Sequence, residues 1–204
     1  MSTAVDALLA EGGAKPRTDA QRSVELLVAA ARAALDEKGL DVTTRELAQR
    51  AGVGLGTLYR RIPSMDALFA AILSDTIDEM TARAIRALDD PDPWHGFAHF
   101  AEAYVQLRTS SCGLHAALSG PDHPSLAGQI TRLREAVHAL IRHARSEGVL
   151  RTDIDWQDIP FALATAVPSD HTIGLAPRDD QWRRNLRILL DGLRPPASAP
   201  AQRS

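Results

Sequence analysis

Two short helical segments near the N-terminus, separated by a four-residue turn, constrain this chain more than any other feature. Thr43 and Glu46 have the spacing of a capping box, which starts the first segment. Gly52 and Gly54 lie in the turn, where glycine permits a left-handed backbone. The second segment ends before Pro63, because proline cannot continue a helix. The pattern predicts a helix-turn-helix that packs on a further helix.

A longer amphipathic helix before this motif supplies that partner. Thr18 and Gln21 form a second capping box, and Gly39 lies where a left-handed residue would end the helix. Apolar residues recur between these ends at helical spacing: Val24, Leu27, Val28, Ala31, Ala34 and Leu35. Together the three helices predict a small helical domain.

Composition extends the helical interpretation to the whole chain. Aromatic residues make up only 4% of the sequence, and strand-like alternation of Val, Ile, Thr and Tyr is scarce. We therefore predict an all-α fold, with later helices at about 94–112, 124–147, 155–172 and 180–194 and bends at Pro160 and Pro168. The predicted domains are a flexible arm (1–16), the three-helix domain (17–62), a larger helical domain (63–194) and a disordered tail (195–204).

Length, charge and cysteine content exclude several classes of protein. The 204 residues carry a formal charge of −3 and a single cysteine, Cys112, so no disulfide can form within the chain. With no signal peptide and no apolar run of about 20 residues, this predicts a cytoplasmic protein without membrane contact. No nucleophile elbow, phosphate loop or His-Glu-x-x-His is present, so we expect neither an enzyme nor a bound cofactor.

The second helix of the motif has an outward face suited to close contact. At about 100° per residue, Leu58 and Ile62 share the inward side. The outward residues are small, hydroxylic, phenolic or cationic: Gly56, Thr57, Tyr59 and Arg60. Tyr59 can donate to a phosphate oxygen, and Arg60 can pair bidentately with guanine in the major groove. Arg61, near the edge of this face, is predicted to contact phosphate.

Three stretches of the motif region match a known family pattern. They are Thr43-Thr44-Arg45-Glu46-Leu47-Ala48-Gln49-Arg50-Ala51-Gly52-Val53, Gly56-Thr57-Leu58-Tyr59 and Asp66-Ala67-Leu68. They resemble the DNA-binding domain of the TetR family of one-component bacterial repressors, over residues 18–73. Met65 stands where the family usually has a phosphate-binding lysine, Gly54 where serine is frequent and Ile62 where phenylalanine is frequent. The first departure puts one phosphate contact in doubt, and the second weakens a helix cap.

The resemblance implies a homodimer whose recognition helices enter adjacent major grooves of a pseudo-palindromic operator. Thr44 and Arg45, at the start of the first motif helix, are expected to touch base edges or phosphates. In the recognition helix, the residues expected to contact DNA are Gly56, Thr57, Tyr59, Arg60 and Arg61. A small-molecule effector in the larger domain is expected to release the repressor from DNA.

The charge of the motif region is compatible with a nucleic-acid partner, although the whole chain is acidic. Residues 14–62 contain nine Lys and Arg against six Asp and Glu, a net +3 inside a chain of −3. Lys15, Arg17 and Arg22 lie where a flexible arm can follow phosphates or the minor groove, as the resemblance also suggests. The alternative for this arm is an ordinary solvated charge cluster.

The larger domain is expected, by the same resemblance, to bind the effector and to dimerise. The candidate pocket residues are Phe100, Tyr104, Arg108, Cys112 and His115, although each is also compatible with a place in the core or on the surface. Cys112 is expected to be a small buried hydrophobe rather than a thiol sensor. His95 and His99, four residues apart, could instead hold a metal with Asp92 or His115, but an organic pocket is favoured and no metal is predicted.

The last two helices are expected to form a four-helix bundle with their copies in the homodimer. An apolar stripe follows the final helix: Trp182, Leu186, Leu189, Leu190 and Leu193. A seam against a partner is favoured over a place in the chain's own core. A competing hypothesis is a helical ligand-binding or scavenging protein with a vestigial head, which rests on Met65 and the acidic total charge.

Overall fold

The computed structural model describes residues 4–11, 18–113, 124–168 and 171–196, which are mostly helical. These ranges contain α1 (Ala4–Glu11), α2 (Thr18–Lys38), α3 (Thr44–Ala51), α4 (Leu55–Arg61), α5 (Met65–Ala87), α6 (Pro93–Ser110), a 3₁₀ turn (Pro124–Leu126), α7 (Ala127–Ser146), α8 (Asp158–Ala164) and α9 (Gln181–Leu193). The described residues form no β-strand, and Thr172 and Leu175 form an isolated antiparallel bridge. The predicted all-α fold is confirmed. No helix in these ranges is long and apolar enough to cross a membrane.

The chain divides into two compact units, of which unit 1 contains Met1–Met80 and Leu107–Leu133. Its core is formed where α2 packs against α3 and α4. Leu27 of α2, Leu47 of α3 and Leu58 of α4 are all buried there. Each leucine removed from water contributes about 1.5–3 kcal/mol to stability. The helix-turn-helix therefore has a fixed platform in α2, as the helical spacing predicted.

Part of the expected N-terminal arm is a packed helix. Ala4 and Leu8, one turn apart in α1, are buried in the core of unit 1. The N–H of Ala4 donates to Asp75 Oδ2 at 2.8 Å, and the same oxygen accepts from Arg32 Nη2 at 2.7 Å. The expectation of a flexible arm is thus corrected for residues 4–11, because apolar burial and a capping carboxylate hold α1. Residues 12–17 lie outside the described ranges.

Unit 2 contains Thr81–Gln106 and Arg134–Ser204. Phe97 of α6, Leu140 and Ile141 of α7 and Ile159 of α8 are buried in it. The helical spacing that predicted long amphipathic helices here also places these residues on inward faces.

Arg151, after α7, holds the end of α9 in place. Its Nη1 donates to Gly192 O at 2.8 Å and its backbone N–H donates to Leu193 O at 2.9 Å. Its guanidinium also donates to both carboxylate oxygens of Asp153 at 2.7 Å. These hydrogen bonds lower the pKa of Asp153 to about 2. The loop before α8 is therefore tied to the C-terminal carbonyls of α9.

The helix predicted over residues 155–172 is shorter in the structure. It corresponds to α8, Asp158–Ala164, and turns follow it up to Pro168. Pro168 disfavours helical geometry in Val167, the residue before it, so the helix cannot continue to residue 172 as predicted. Pro160 lies in the first turn of α8, where its missing N–H would have no acceptor within the helix, and no bend is required there.

The apolar stripe of α9 is mostly part of the chain's own core. Trp182, Leu186 and Leu193 are buried within unit 2, and Leu189 and Leu190 are half-buried. This corrects the expectation that all five form a seam against a partner. The apolar side of α9 is already covered within its own unit, so Trp182, Leu186 and Leu193 are not available to a partner at the surface. Beyond position 196, the predicted tail lies outside the described residues.

Candidate nucleic-acid interface

The turn between α3 and α4 has the geometry that its sequence predicts. Thr43 Oγ1 accepts a hydrogen bond from the N–H of Glu46 at 3.2 Å, which caps the start of α3. Gly52 ends α3 in the left-handed region, with φ 66° and ψ 27°. The N–H of Val53 then donates to Ala48 O at 3.0 Å and satisfies a carbonyl at the end of the helix. This turn sets the direction in which α4 begins.

The two sides of α4 differ as the spacing predicts. Leu58 and the capping residue Ile62 are buried in unit 1. On the opposite side, Gly56 and Arg60 are exposed, and Tyr59 is 68% exposed. An exposed tyrosine beside a residue without a side chain leaves the helix backbone open to close approach. This side of α4 is a surface for contact rather than for packing.

Several basic residues of unit 1 are already paired with carboxylates. Lys38 Nζ lies 2.7 Å from Glu46 Oε1, and Arg50 lies 2.8 Å from Glu37 Oε2 and 3.2 Å from Glu46 Oε1. The hydrogen bond from Lys38 is the main reason that the pKa of Glu46 is lowered. Arg32 pairs likewise with Asp75 at 2.7 Å. Three of the nine cations counted over residues 14–62 are therefore paired within the fold, and one of them, Arg32, is paired with an acid outside that stretch.

Three arginines around α3 and α4 remain without such a partner. Within the described part of the chain, no carboxylate oxygen lies within 4.0 Å of the guanidinium groups of Arg45, Arg60 or Arg61. The Nη2 of Arg60 lies 3.5 Å from Thr57 Oγ1, a long contact at the limit of a hydrogen bond. Arg61 Nε is buried, with no hydrogen-bond partner among these residues. Arg22, expected on the arm, lies exposed in α2 and also lacks a carboxylate partner among these residues. The helix-turn-helix therefore presents three unpaired arginines, and α2 adds a fourth.

The remaining predicted DNA contacts fall on or beside this surface, or outside the described ranges. Thr44 is half-buried and Arg45 is exposed, both in the first turn of α3. Met65 is half-buried and packs against the core of unit 1, so an apolar contact replaces the lysine usual in the family. Lys15 and Arg17 lie outside the described residues.

Four of the five predicted pocket residues lie in the described ranges, two in each unit. Phe100 is buried in the wall of a cavity of about 320 Å³ in unit 2, and its ring stacks on that of Tyr104 at 6.2 Å between centroids. Arg108 is buried and Cys112 is exposed; both belong to unit 1. The expectation of a buried Cys112 is corrected by that exposure. His115 lies outside the described ranges.

His95 and His99 stack on each other and one of them is paired with a carboxylate. Their ring centroids are 5.9 Å apart, and His95 Nδ1 lies 2.7 Å from Asp90 Oδ2. This hydrogen bond raises the pKa of His95 and lowers that of Asp90. Asp92, the suggested third ligand, instead caps α6 by accepting from the N–H of Trp94 at 2.9 Å. The described residues hold no cluster of three His, Cys, Asp or Glu side chains that could bind a metal.

Comparison with known proteins covers most of the chain. The family model of bacterial regulatory proteins of the tetR family matches residues 27–72, and that of the SbtR-like C-terminal domain of transcriptional regulators matches residues 92–195. Nucleoid occlusion factor SlmA of Edwardsiella ictaluri is 30% identical over 149 residues, 67% of this chain and 72% of that protein. The crystal structure of a TetR transcriptional regulator from Streptomyces coelicolor is 29% identical with a TM-score of 0.60, over 85% of this chain and 99% of that one. A TetR regulatory protein from Mycobacterium vanbaalenii is 27% identical with a TM-score of 0.59, over 87% and 98%.

The fold and the exposed surface of α4 define a class of protein. A helix-turn-helix in unit 1, followed in the chain by a longer helical region, is the organisation of a DNA-binding transcriptional regulator and not of an enzyme. The two family models together match both regions. The chain belongs to the tetR family of bacterial regulatory proteins.

Proposed function

We propose that this regulator is a homodimeric repressor that binds a pseudo-palindromic operator and is released by a small-molecule effector. The observation that carries the DNA-binding part is the set of three arginines, Arg45, Arg60 and Arg61, that lack a carboxylate partner in the described residues. Elsewhere in unit 1, Arg32, Lys38 and Arg50 are paired, and Arg22 of α2 has no carboxylate partner among the described residues. Free cations at the motif are what phosphate neutralisation requires.

Residues on the exposed side of α4 contact both base edges and phosphates. Arg60 pairs with guanine, a contact that discriminates between bases by about 1–3 kcal/mol. Tyr59 and Arg61 contact phosphate, while Gly56 and Thr57 allow the helix to approach the groove closely. From the start of α3, Thr44 and Arg45 reach the adjoining bases or backbone. Lys15 and Arg17 extend the contact along phosphates or into the minor groove.

The dimer surface is formed by α8 and α9 through residues other than the predicted stripe. Phe161 of α8 is 76% exposed and Ile188 of α9 is 69% exposed, both in unit 2. Large exposed apolar side chains on neighbouring helices mark a surface for association. Half-buried Leu189 and Leu190 lie towards the buried side of α9, about 100° and 160° around the helix from Ile188, so Phe161 and Ile188 are the main apolar groups of this surface. A four-helix bundle with the second copy would cover these residues.

Release from the operator requires a ligand that binds the two conformations of the dimer with different affinities. Tight binding alone does not shift the equilibrium, because only the difference in binding free energy does so. Phe100 and Tyr104 of unit 2 are candidates for contact with this ligand. Since its proposed partner is chromosomal DNA, the protein acts in the bacterial cytoplasm.

Selection from a random duplex library tests the DNA-binding proposal. A 40-base-pair library would be passed over immobilised full-length protein, and the enriched duplex titrated at several salt concentrations. We expect an inverted repeat, and an affinity whose logarithm falls linearly with the logarithm of salt concentration. If the recovered duplexes share no sequence, the result would instead favour a ligand-binding protein whose helix-turn-helix no longer recognises DNA.

Two arginine variants separate base reading from general charge. Arg60→Ala should weaken binding to the selected duplex by about 1–3 kcal/mol and relax one operator position. Lys15→Ala should weaken all duplexes alike. Arg187→Ala is a matched control, because Arg187 is an exposed arginine on α9 and has no carboxylate within 4.0 Å in the described residues. If Arg60→Ala and Lys15→Ala both act uniformly across sequences, Arg60 does not read a base.

A further inference from the structure

A cavity of about 710 Å³ opens in unit 2 around the chain between α8 and α9. Its walls combine apolar and cationic groups: Val167, Pro168, Leu175, Pro177, Arg178 and Arg184. Sequence patterns gave no indication of it, because most of this stretch was expected to be continuous helix. The volume lies within the range of roughly 300–1,000 Å³ typical of sites for small organic ligands.

The backbone of this stretch is held in a tight turn that forms one wall. The N–H of Thr172 donates to Leu175 O at 3.0 Å, and the N–H of Leu175 donates to Thr172 O at 2.8 Å. Between them Ile173 has φ 44°, a conformation that a β-branched residue rarely adopts. The turn therefore persists because its paired ends hold it, and it presents Leu175 to the cavity.

Amide side chains orient one of the two arginines. Arg184 Nη2 donates to Gln181 Oε1 at 3.0 Å, and Gln181 Nε2 donates to Asn185 Oδ1 at 3.0 Å. Asn185 Nδ2 in turn donates to Ala166 O at 3.1 Å, just after α8. These bonds anchor the start of α9 to the end of α8 and restrict Arg184. Its remaining N–H groups have no hydrogen-bond partner among the described residues.

The positive charge of the cavity is uncompensated in the described part of the chain. No carboxylate oxygen of these residues lies within 4.0 Å of Arg178 or Arg184. The nearest acid in sequence to α9, Asp180, is bonded at 3.1 Å to Arg183, which is not a wall residue. Two guanidinium groups beside apolar walls, with no carboxylate partner among the described residues, therefore favour a ligand of negative charge.

We infer that this cavity binds an amphipathic carboxylic acid. A carboxylate accepts paired hydrogen bonds from a guanidinium, and the apolar walls cover a short hydrocarbon or aryl body. As the class of the effector, the inference rests on the proposed function; as a binding site, it does not. Arg184 lies one helical turn from Ile188, so the opening borders the proposed dimer surface, and binding there can alter how two copies meet.

Calorimetry with the full-length protein and without DNA tests the site. The probes are octanoate and 4-phenylbutyrate, each paired with its neutral amide. We expect saturable binding of at least one acid, with its amide weaker by about tenfold or more. Absence of saturable binding by both acids, or equal affinity for acid and amide, would overturn the inference.

Three variants locate the binding. Arg178→Gln and Arg184→Gln should each reduce affinity for the bound acid by about tenfold. Arg187→Gln, on the same helix but outside the cavity, should leave it unchanged. Arg178 is exposed, so its variant tests the charge even if Arg184→Gln perturbs the fold, which circular dichroism would reveal. Equal loss in Arg187→Gln would show that the acid binds elsewhere.

A separate experiment distinguishes the site from its regulatory role. The bound acid is added to the complex of protein and selected operator, and release is followed by fluorescence anisotropy. Release that is lost in Arg178→Gln supports both the site and the effector role. Binding without release keeps the site and refutes this acid class as effector, whereas release that persists in both arginine variants contradicts the site.

Discussion

Gly52 and Gly54 lie in the same turn but have opposite backbone requirements. Gly52 has φ 66° and ψ 27°, in the left-handed region, whereas Gly54 has φ −71° and ψ 147°, which any residue adopts. A Cβ placed at either position meets no atom within 4 Å outside its chain neighbours. The variants Gly52→Ala and Gly54→Ser therefore test backbone conformation and capping, with no contribution from steric overlap.

The two changes should shift stability in opposite directions. Alanine in the left-handed region costs about 1–2 kcal/mol. Replacing glycine also restricts the unfolded chain, which offsets roughly 0.4–1 kcal/mol. Gly52→Ala should therefore destabilise the motif by about 1 kcal/mol. Gly54→Ser keeps the unfolded-state gain and adds a hydroxyl that can cap α4, so it should stabilise by about 0.5–1 kcal/mol.

Hydrogen exchange followed by mass spectrometry measures this locally. Trp94, Trp156 and Trp182 all lie outside unit 1, so tryptophan fluorescence does not report on the motif. Peptides that span α3 and α4 should exchange roughly fivefold faster in Gly52→Ala and more slowly in Gly54→Ser. Peptides from unit 2 provide the internal control.

The sign of the two effects decides the outcome. If both variants shift exchange in the same direction, or if Gly52→Ala exchanges at the wild-type rate, the left-handed requirement at Gly52 is not what holds the turn. Gly52→Asn is the matched intermediate, because asparagine tolerates this conformation better than alanine. It should lie between the wild type and Gly52→Ala.

Three further changes test other parts of the structure. Asp90→Asn should lower the raised pKa of His95 towards its ordinary value of 6.5, because the hydrogen-bonded carboxylate is lost, and an NMR titration measures this. In the wild type the His95–Asp90 pair stabilises the fold most between pH 3.8 and 6.5. This stabilisation is lost as the pH rises through the raised pKa of His95, and also as the pH falls through the lowered pKa of Asp90. Leu8→Ala should cost about 2–5 kcal/mol of the free energy that holds α1 against the core. Because a short helix is only marginally stable alone, α1 should then detach and become sensitive to proteolysis. Phe161→Glu and Ile188→Glu should each give monomers in sedimentation velocity, because a charge cannot be buried in the proposed dimer surface.

Each of these has a control and a contrary outcome. Asp89→Asn should leave the His95 titration unchanged, and an unchanged titration in Asp90→Asn would contradict the pairing. Ala10→Ser, at an exposed position of α1, should not alter proteolysis, and a resistant Leu8→Ala would show that α1 is held by other contacts. Dimers that persist in both glutamate variants would exclude α8 and α9 as the interface; Arg187→Glu tests the effect of charge reversal alone.

Local sequence patterns correctly predicted the parts of the fold that depend on neighbouring residues. The capping pattern at Thr43, the left-handed Gly52 and the inward positions of Leu58 and Ile62 all depend on interactions within about one helical turn. Helix α1 was missed because its stability depends on Asp75, far away in the sequence. The early end of α8 was missed because a long apolar pattern continues through residues that turn.

The sequence by itself determined the helical class, the turn of the motif and the residues that α4 turns outward, because these follow from helical period and backbone sterics. Only the tertiary structure decided which charges are available. Lys38 and Arg50 count as cations in the sequence, yet carboxylates from other parts of unit 1 neutralise them, while Arg45 and Arg60 have no such partner in the described residues. Most of this pairing is decided by groups distant in the chain, which no local pattern contains; the contact of Arg50 with Glu46, four residues earlier in α3, is the local exception.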